Sequence, residues 1–556
     1  MVVLGVNAVF HDSSAALVID GSIVAAAEEE RFNRRKHSKE CVPFSAWELP
    51  VLSAKWCLAQ AGLKPADVDV VAYSYDPSLA VPFDGDVTAG EWEGLRTLYA
   101  TRMPRFLQNA LPGSERAKVE FVPHHIAHAA SAYLASPLGD CSVLVSDGRG
   151  EQASYLAGKV RDGRLSILAT QALPSSLGLL YEELTMHLGF HRSSDEYKVM
   201  GLAAYGKPKF VDDFRRLVRV RDDGGFDIDP VDFTRFAPKR DADGEFVGAH
   251  ADLAASVQAR LEEVLLDRAR WLHERTGDRY LTMAGGVALN CVANARIARE
   301  GPFEQVWVQP AAGDAGTSLG AALFAANKYG DRVKPMATAA LGREWNQEQL
   351  ARWLDRAHVE YEQPNDIARA VAEILADDGV VGWFQGRSEF GPRALGHRSL
   401  LANPKYPQNL ERLNNIKGRE QFRPVAPMVL EERAAEIFDG HLPSPYMLFT
   451  HRVYPQWRDA IAAAVHVDGT ARVQTVNAFD EPLVARMLRE FDRLTGTPVV
   501  INTSFNTAGR PMVDDPRDAL ECFGSAPVDA LAIGPFLLRR AGLFGRIRAM
   551  EVRGAV

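Results

Sequence analysis

Two stretches of this chain repeat the same order of short elements, and that repetition limits what the chain can fold into. Val2 to Val6 is a short apolar run closing on Asn7 and a polar turn at His11–Ser14. Ala15 to Ile19 is a second run, Asp20-Gly21 makes a hairpin turn, and Ile23 to Ala27 forms a third strand. The order recurs at Ser142 to Ser146, which ends in DGRGE, continues through Ala153 to Val160, turns at Asp162-Gly163 and resumes at Leu165 to Ala169. Asn7 stands 14 residues before the first hairpin glycine, and Asp147 stands 16 before the second. Two such halves facing one another make a cleft between two mixed sheets. The polar turns after their first strands are then placed to meet the phosphates of a nucleotide.

Between the halves lies FVPHHIAHAASAY. Ala127, Ala129 and Ala130 around His128 favour helix. On a helix, His124 and His128 are four apart and stack on one face. His125 points about a quarter-turn away and does not join them. Such a pair is either half of a metal site or two hydrogen-bonded histidines where a helix meets the core. Tyr280 to Met283 then reads as a strand leading into AGGVALN. There Gly285 and Gly286 allow a ligand close to the backbone, beside Asn290. GDAGTSLG opens a helix through Ala326 that ends near Gly330, with Asp314 where an N-cap belongs. Its N-terminus is a seat for phosphate. Together His124, His128, Asp147 and Asp314 offer two nitrogen and two oxygen ligands, a set suited to Fe(II), Mn(II) or Zn(II).

Length alone, 556 residues, suggests three or four compact units. Hydrophobic residues make up 47% and charged residues 24%, a soluble globular profile. A net charge of −9 argues against a general nucleic-acid binder. Five cysteines without CxxC spacing read as reduced thiols of a cytoplasmic protein. The apolar N-terminus, broken by His11 and Asp12 with no basic residue before it, is not a signal peptide, and no apolar run is long enough to span a bilayer. EEERFNRRKH (28–37) reads as a solvated helix face, with Lys36 and His37 as candidates for substrate contact. Lys198, before a Gly- and Ala-rich turn, is a surface lysine at a helix end or reaches a phosphate.

DRVKPMATAALGREW reads as a linker, so residues 1–335 and 343–556 form two domains. The second begins with helices at Asn346–Arg356 and Asn365–Asp378 and a strand at Gly379–Phe384. Arg387 to Arg423 then carries eight basic residues against three acidic ones. Arginines beside glycine and proline turns suit convergent binding of compact anions. Arg472 and a strand running into Ile501-Asn502-Thr503-Ser504-Phe505-Asn506 add polar groups at a strand end.

Ten motifs taken together resemble the O-carbamoyltransferase family of antibiotic-tailoring and nodulation-factor enzymes. In order they are FHDSSAALVIDG, EEERF, HHIAHAASAY, DGRGE, KVMGLAAYG, AGGVALN, GDAGTSLGAA, GRSEFGPRALGHRSLL, KGREQFRP and INTSFN. The resemblance implies an α/β protein with an N-terminal actin-like domain of duplicated ribonuclease-H-like halves, similar to the tRNA threonylcarbamoyl-transfer subunit. It implies a C-terminal YrdC-like domain that makes carbamoyl-adenylate from carbamoyl phosphate and ATP, with Mg²⁺ accompanying ATP. The first domain would then pass the carbamoyl group to a hydroxyl of a small acceptor. Carried over residue by residue, His124, His128, Asp147 and Asp314 match the family's iron ligands. His11 becomes the general base and Lys36 the group stabilising charge on the carbamoyl oxygen. Gly148, Gly150, Lys198, Gly285, Gly286 and Asn290 would contact nucleotide. Arg393, Lys417, Arg419, Arg423 and Arg472 would hold phosphates, and Asn502 and Ser504 the carbamoyl end.

A tRNA threonylcarbamoyl-type enzyme is the main rival, opposed by the acidic balance. A sugar kinase or ATPase of the actin-like superfamily explains the first domain but not the arginine-rich second. Aminoglycoside, cephem, aminocoumarin-sugar and ansamycin hydroxyls are all handled by relatives, and no motif in Phe210–Ala254 selects among them.

Overall fold

A computed structural model describes residues 1–38, 49–80 and 87–540, with the backbone alone for 87–95. The chain forms two compact units, Met1–Ala337 and Thr338–Val556, fewer than length alone suggests because the first holds two sheets.

In the first unit, β1 (Val2–Asn7), β2 (Ser14–Ile19), β3 (Ser22–Glu28), β4 (Val70–Tyr73) and β5 (Lys118–Phe121) form a sheet of order β3-β2-β1-β4-β5. β1, β2 and β3 are antiparallel neighbours, and β4 and β5 continue parallel to β1. The second half comprises β6 (Cys141–Ser146), β7 (Ala153–Arg161) and β8 (Arg164–Ala172). A small hairpin, β9 (Val218–Val220) with β10 (Phe226–Ile228), stands apart before β11 (Tyr280–Ala284) and β12 (Gln305–Val308) complete the second sheet. Its order, β12-β11-β6-β7-β8, and its pairing directions repeat the first sheet's. This is the duplicated ribonuclease-H-like, actin-like architecture. Both hairpins turn through an Asp-Gly pair with positive φ at each residue (48° and 73°, then 50° and 70°), the turn that matches strand twist.

The helices His124–Tyr133 and Ala315–Lys328 pack against one another. A Cβ on Gly320 would lie 1.8 Å from the carbonyl oxygen of Ala127, and one on Gly5 would lie 1.9 Å from that of Ser318. Small residues therefore bring the two helices and β1 within backbone contact. That packing sets the start of one helix beside the histidine face of the other.

The second unit carries β13 (Val381–Phe384), β14 (Arg398–Ala402), β15 (Ala426–Leu430), β16 (Phe438–Asp439), β17 (His451–Val453) and β18 (Thr470–Ala471). It continues with β19 (Gln474–Val476), β20 (Val499–Ser504), β21 (Ala530–Ile533) and β22 (Phe536–Arg539). Seven make a mixed sheet, β19-β15-β20-β14-β13-β21-β22, and β16, β17 and β18 a smaller one. Side chains alternate between faces. Phe384, Leu400, Ile501 and Leu531 bury one face under helices Gln347–Arg356, Gln408–Ile416 and Pro516–Ser525. Trp383, Leu401, Val500 and Ala532 bury the other under Ile367–Ala376 and Pro482–Thr495. Cys57, Cys141, Cys291 and Cys522 are buried, and Cys41 lies outside the described residues. Among the described residues no helix is long and apolar enough to cross a membrane.

Candidate active site

The histidine helix begins at His124 because its exposed N–H groups find an acceptor. The Glu151 carboxylate takes the His124 N–H at 2.9 and 3.2 Å and the Asp76 N–H at 2.8 Å. Ser74 in turn orients the His124 ring: Nδ1 donates to its carbonyl oxygen at 3.2 Å, which turns Nε2 toward Asp147 and Asp314. Asp147 follows β6, where its Oδ1 accepts the Gly286 N–H at 2.8 Å and its Oδ2 faces the histidines. Asp314 stands immediately before helix Ala315–Lys328 but does not cap it; its backbone is already helical (φ −59°, ψ −29°). The capping expectation is thus replaced, because the carboxylate is turned to His124 and His128.

Nε2 of His124 lies 3.5 Å from Asp147 Oδ2 and 3.6 Å from Asp314 Oδ1, and Nε2 of His128 lies 3.9 and 3.5 Å from the same atoms. These distances exceed a good hydrogen bond. Both Nε2 atoms are buried without a hydrogen-bond partner among the described residues. Ligand atoms about 2.1 Å from a shared cation in tetrahedral array stand about 3.4 Å apart, so the spacing fits a divalent metal. Burial disfavours a charged His124, yet Asp147 and Asp314 together hold its pKa well above the usual imidazole value. Burial likewise opposes ionisation of Asp314, but His11, His124 and His128 keep its carboxyl well below its usual range. Against its burial, Asp147 is likewise held below the usual carboxylate range by His124 and His128, so both carboxyls favour the ionised form, whose charge a divalent cation would neutralise. His125 stays outside the set, packed so closely that a Cβ on Gly150 would lie 2.6 Å from its Nδ1.

His11 is brought to this centre, its Nε2 3.8 Å from Asp314 Oδ2. The turn carrying it is pinned by Asn7, whose Nδ2 donates to the carbonyls of His11 and Asp12 at 3.1 Å each. Asn7 Oδ1 accepts from Ser74 Oγ, which accepts from Thr317 Oγ1. One hydrogen-bonded chain thus links the His11 turn, the orienter of His124 and the helix that follows Asp314.

The 28–37 segment corrects the solvated-face expectation. Glu28, Glu29, Glu30 and Arg31 are buried. Glu29 accepts from the backbone N–H groups of Leu52 and Ser53, and Glu30 from the backbone N–H of His37 and the side-chain ammonium of Lys36. Lys36 is therefore tied to Glu30 rather than to the His/Asp cluster. Gly285 (φ 94°) lies so close to β6 that a Cβ would meet Ser146 O at 2.2 Å. Gly148 borders Glu182, Asn290 caps helix Cys291–Glu300, and Lys198 pairs with Asp195 at 3.1 Å. Sequence reasoning gave Asn7, Asp12, Ser74, Glu30 and Glu151 no role in the site.

In the second unit Lys417 Nζ reaches Ser504 O at 2.5 Å, Ser504 Oγ at 2.9 Å and Asn506 Oδ1 at 2.5 Å, which joins two of the predicted residues. Asn502 is 1% exposed; its Nδ2 donates to Ala394 O at 3.1 Å and Gln474 Oε1 at 2.7 Å. Its Oδ1 is left as a buried acceptor without a partner among the described residues. Arg419 donates to Asn414 Oδ1 at 2.5 Å and Arg423 lies 3.6 Å from Glu420, while Arg393 and Arg472 each have a buried guanidinium nitrogen. Three of the eight basic residues serve the fold instead: Arg387, Arg398 and Arg412 donate to backbone carbonyls. Arg398 also lies over the Phe384 ring.

Fold and site define an actin-like protein with a His₂Asp₂ centre of metal-binding type, joined to a separate α/β unit. The chain belongs to the carbamoyltransferase family: the family's N-terminal part, Carbamoyltransferase N-terminus, matches residues 2–323 and Carbamoyltransferase C-terminus matches 372–540. It is 39% identical over 552 residues to nodulation protein NolNO of Sinorhizobium fredii, covering 96% of this chain and 80% of that protein. It is 37% identical over 603 residues to an uncharacterised Synechocystis protein (97% and 96% covered). Identity to nodulation protein NolO of Bradyrhizobium diazoefficiens is 38% over 439 residues (75% and 78% covered).

Proposed function

We propose that this chain is an ATP-dependent O-carbamoyltransferase that acts on a hydroxyl of a small secondary metabolite, such as an antibiotic or its precursor. A carbamoyl carbon is a poor electrophile because nitrogen donates into it, so joining it to AMP supplies a better leaving group. In the second unit, phosphate is lost from carbamoyl phosphate to water. A carbamate oxygen then bonds to the α-phosphorus of ATP, and pyrophosphate leaves. Lys417, Arg393, Arg419, Arg423 and Arg472 hold the phosphates. Ser504 lines that pocket, and Asn502 Oδ1 accepts a hydrogen bond from the carbamoyl NH₂. What supports this reading is that a buried acceptor, without a partner among the described residues, lies two residues before Ser504, the strand end that Lys417 Nζ reaches from the end of helix Gln408–Ile416, in a member of this family.

In the first unit, Gly148, Gly150, Gly285, Gly286, Asn290 and Lys198 border the nucleotide portion. His11 takes the acceptor proton at Nε2 as the alcohol oxygen bonds to the carbamoyl carbon. The bond to the AMP oxygen breaks, with its electron pair leaving on AMP. Lys36 steadies the carbamoyl oxygen. A divalent cation held by His124, His128, Asp147 and Asp314, with iron(II) favoured over manganese or zinc, would supply Lewis-acid neutralisation of phosphate charge. The protein works in the cytoplasm, with neither nucleic acid nor membrane as partner.

The test incubates the metal-loaded chain with ATP, Mg²⁺, carbamoyl phosphate and a panel of aminoglycoside, hydroxymethyl-cephem, aminocoumarin-glycoside and ansamycin alcohols, read by mass spectrometry. A carbamate adduct that vanishes without carbamoyl phosphate supports the reading. Phosphorylated alcohol instead favours a kinase, and threonylcarbamoylated tRNA in a parallel incubation favours the tRNA enzyme.

A further inference from the structure

Asp12 stands between two histidines. Its Oδ2 accepts from Nδ1 of His11 at 2.9 Å, and its Oδ1 accepts from Nδ1 of His37 at 2.8 Å. His37 is fixed in turn, since its Nε2 accepts from Ser194 Oγ at 2.8 Å and its backbone N–H donates to Glu30 Oε2 at 2.8 Å. The backbone around this chain of contacts is unusual. Asp12 (φ 52°), His37 (φ 59°), Ser38 (φ 66°) and Ser193 (φ 56°) all adopt the left-handed region that a Cβ disfavours. Such outliers persist only where surrounding contacts over-determine them, and they concentrate at functional sites. Here they lie in the three short segments that carry Asp12, His37 and Ser194, which these hydrogen bonds join in series.

We infer that Asp12 is a positioning residue of the transfer site: by bridging His11 and His37 it keeps the proton of His11 on Nδ1 and aims the bare Nε2 at the acceptor hydroxyl. The inference rests on the reading of His11 as general base. During transfer the hydroxyl proton moves to Nε2, the Nδ1 proton stays hydrogen-bonded to Asp12, and Asp12 remains ionised throughout. His37, Ser194 and Glu30 hold the carboxylate in place, so that it serves His11 and does not swing toward Lys36.

Two measurements on the full chain test this. The first is ring-nitrogen NMR of [¹⁵N]histidine-labelled protein loaded with Zn²⁺, with the His11 signals assigned by their loss in H11N. The wild type should show a protonated Nδ1 and a bare Nε2 for His11, and D12A a mixture of tautomers; an unchanged tautomer in D12A overturns the inference. The second is a kinetic cycle using whichever panel alcohol accepts carbamate. D12N should slow transfer by about 10²-fold, with little change in KM for the alcohol and with pyrophosphate exchange in the second unit intact. D12N/H11N should transfer within about twofold of H11N alone. Losses that multiply, or a D12N variant as fast as wild type beside a slow H11N, overturn the inference. An H11N variant as fast as wild type overturns the base reading instead, and the tautomer result then decides the positioning of His11 by itself.

Discussion

Asn502 shows how much one buried atom can specify. Both hydrogens of its amide are taken by Ala394 and Gln474, so the amide cannot flip, and Oδ1 is presented as a fixed acceptor. Asn502→Ala should cut kcat/KM for carbamoyl phosphate by about 10- to 100-fold, the loss of one buried hydrogen bond, while KM for ATP stays near its original value. Equal losses for both substrates would remove Asn502 from the carbamoyl end. His451 illustrates a buried group with a structural cost. Burial pushes its pKa down to about 4, although its Nδ1 donates to Asp439 O at 3.2 Å. A depressed imidazole contributes stability that is present above about pH 6.5 and is lost as pH falls toward 4. The full swing is about 3 kcal/mol, from about 1.4 kcal/mol per pKa unit. His451→Phe should start slightly less stable at pH 7 and lose less on acidification, read from denaturant midpoints at pH 7 and pH 4.5. An unchanged acid slope would contradict this account of His451.

The elements that build the site were the most legible part of the sequence. An i, i+4 histidine pair flanked by alanines shares one helix face, and an aspartate just past a strand emerges at that strand's C-terminal end. The repeated strand–turn–hairpin pattern likewise matches the repeated sheet order. What the sequence hid were contacts made across long separations. Ser74 reaches His124, Asn7 and Thr317, and Glu151 reaches His124 and Asp76, with no periodicity to announce them. A run of charge also looks alike whether solvated or folded inward, so Glu28–Arg31 misled, as did Arg387, Arg398 and Arg412. Helix packing at Gly320 gives a direct check on this scale. Gly320→Ala places a methyl against Ala127 O and should destabilise the first unit by about 1–3 kcal/mol through overpacking. It should also lower metal content by moving Asp314 from His128, measured by calorimetry and metal analysis. Full metal content at wild-type stability would show that the two helices do not set the centre.

At the scale of the whole chain, the proposed function assigns activation of the carbamoyl group to one unit of the polypeptide and its transfer to the other. An actin-like kinase would leave the second unit without a role, and a net charge of −9 leaves little footprint for tRNA. On the proposed function, the choice of acceptor is assigned to segments such as Phe210–Ala254, where short helices and the β9–β10 hairpin stand without a recognisable motif. The most direct measurement is nucleotide stoichiometry during carbamoylation, with AMP, ADP and carbamate product quantified together by mass spectrometry. Activation through adenylate predicts one AMP for each carbamate formed and no ADP; carbamate formed without AMP, or with ADP in its place, would contradict it.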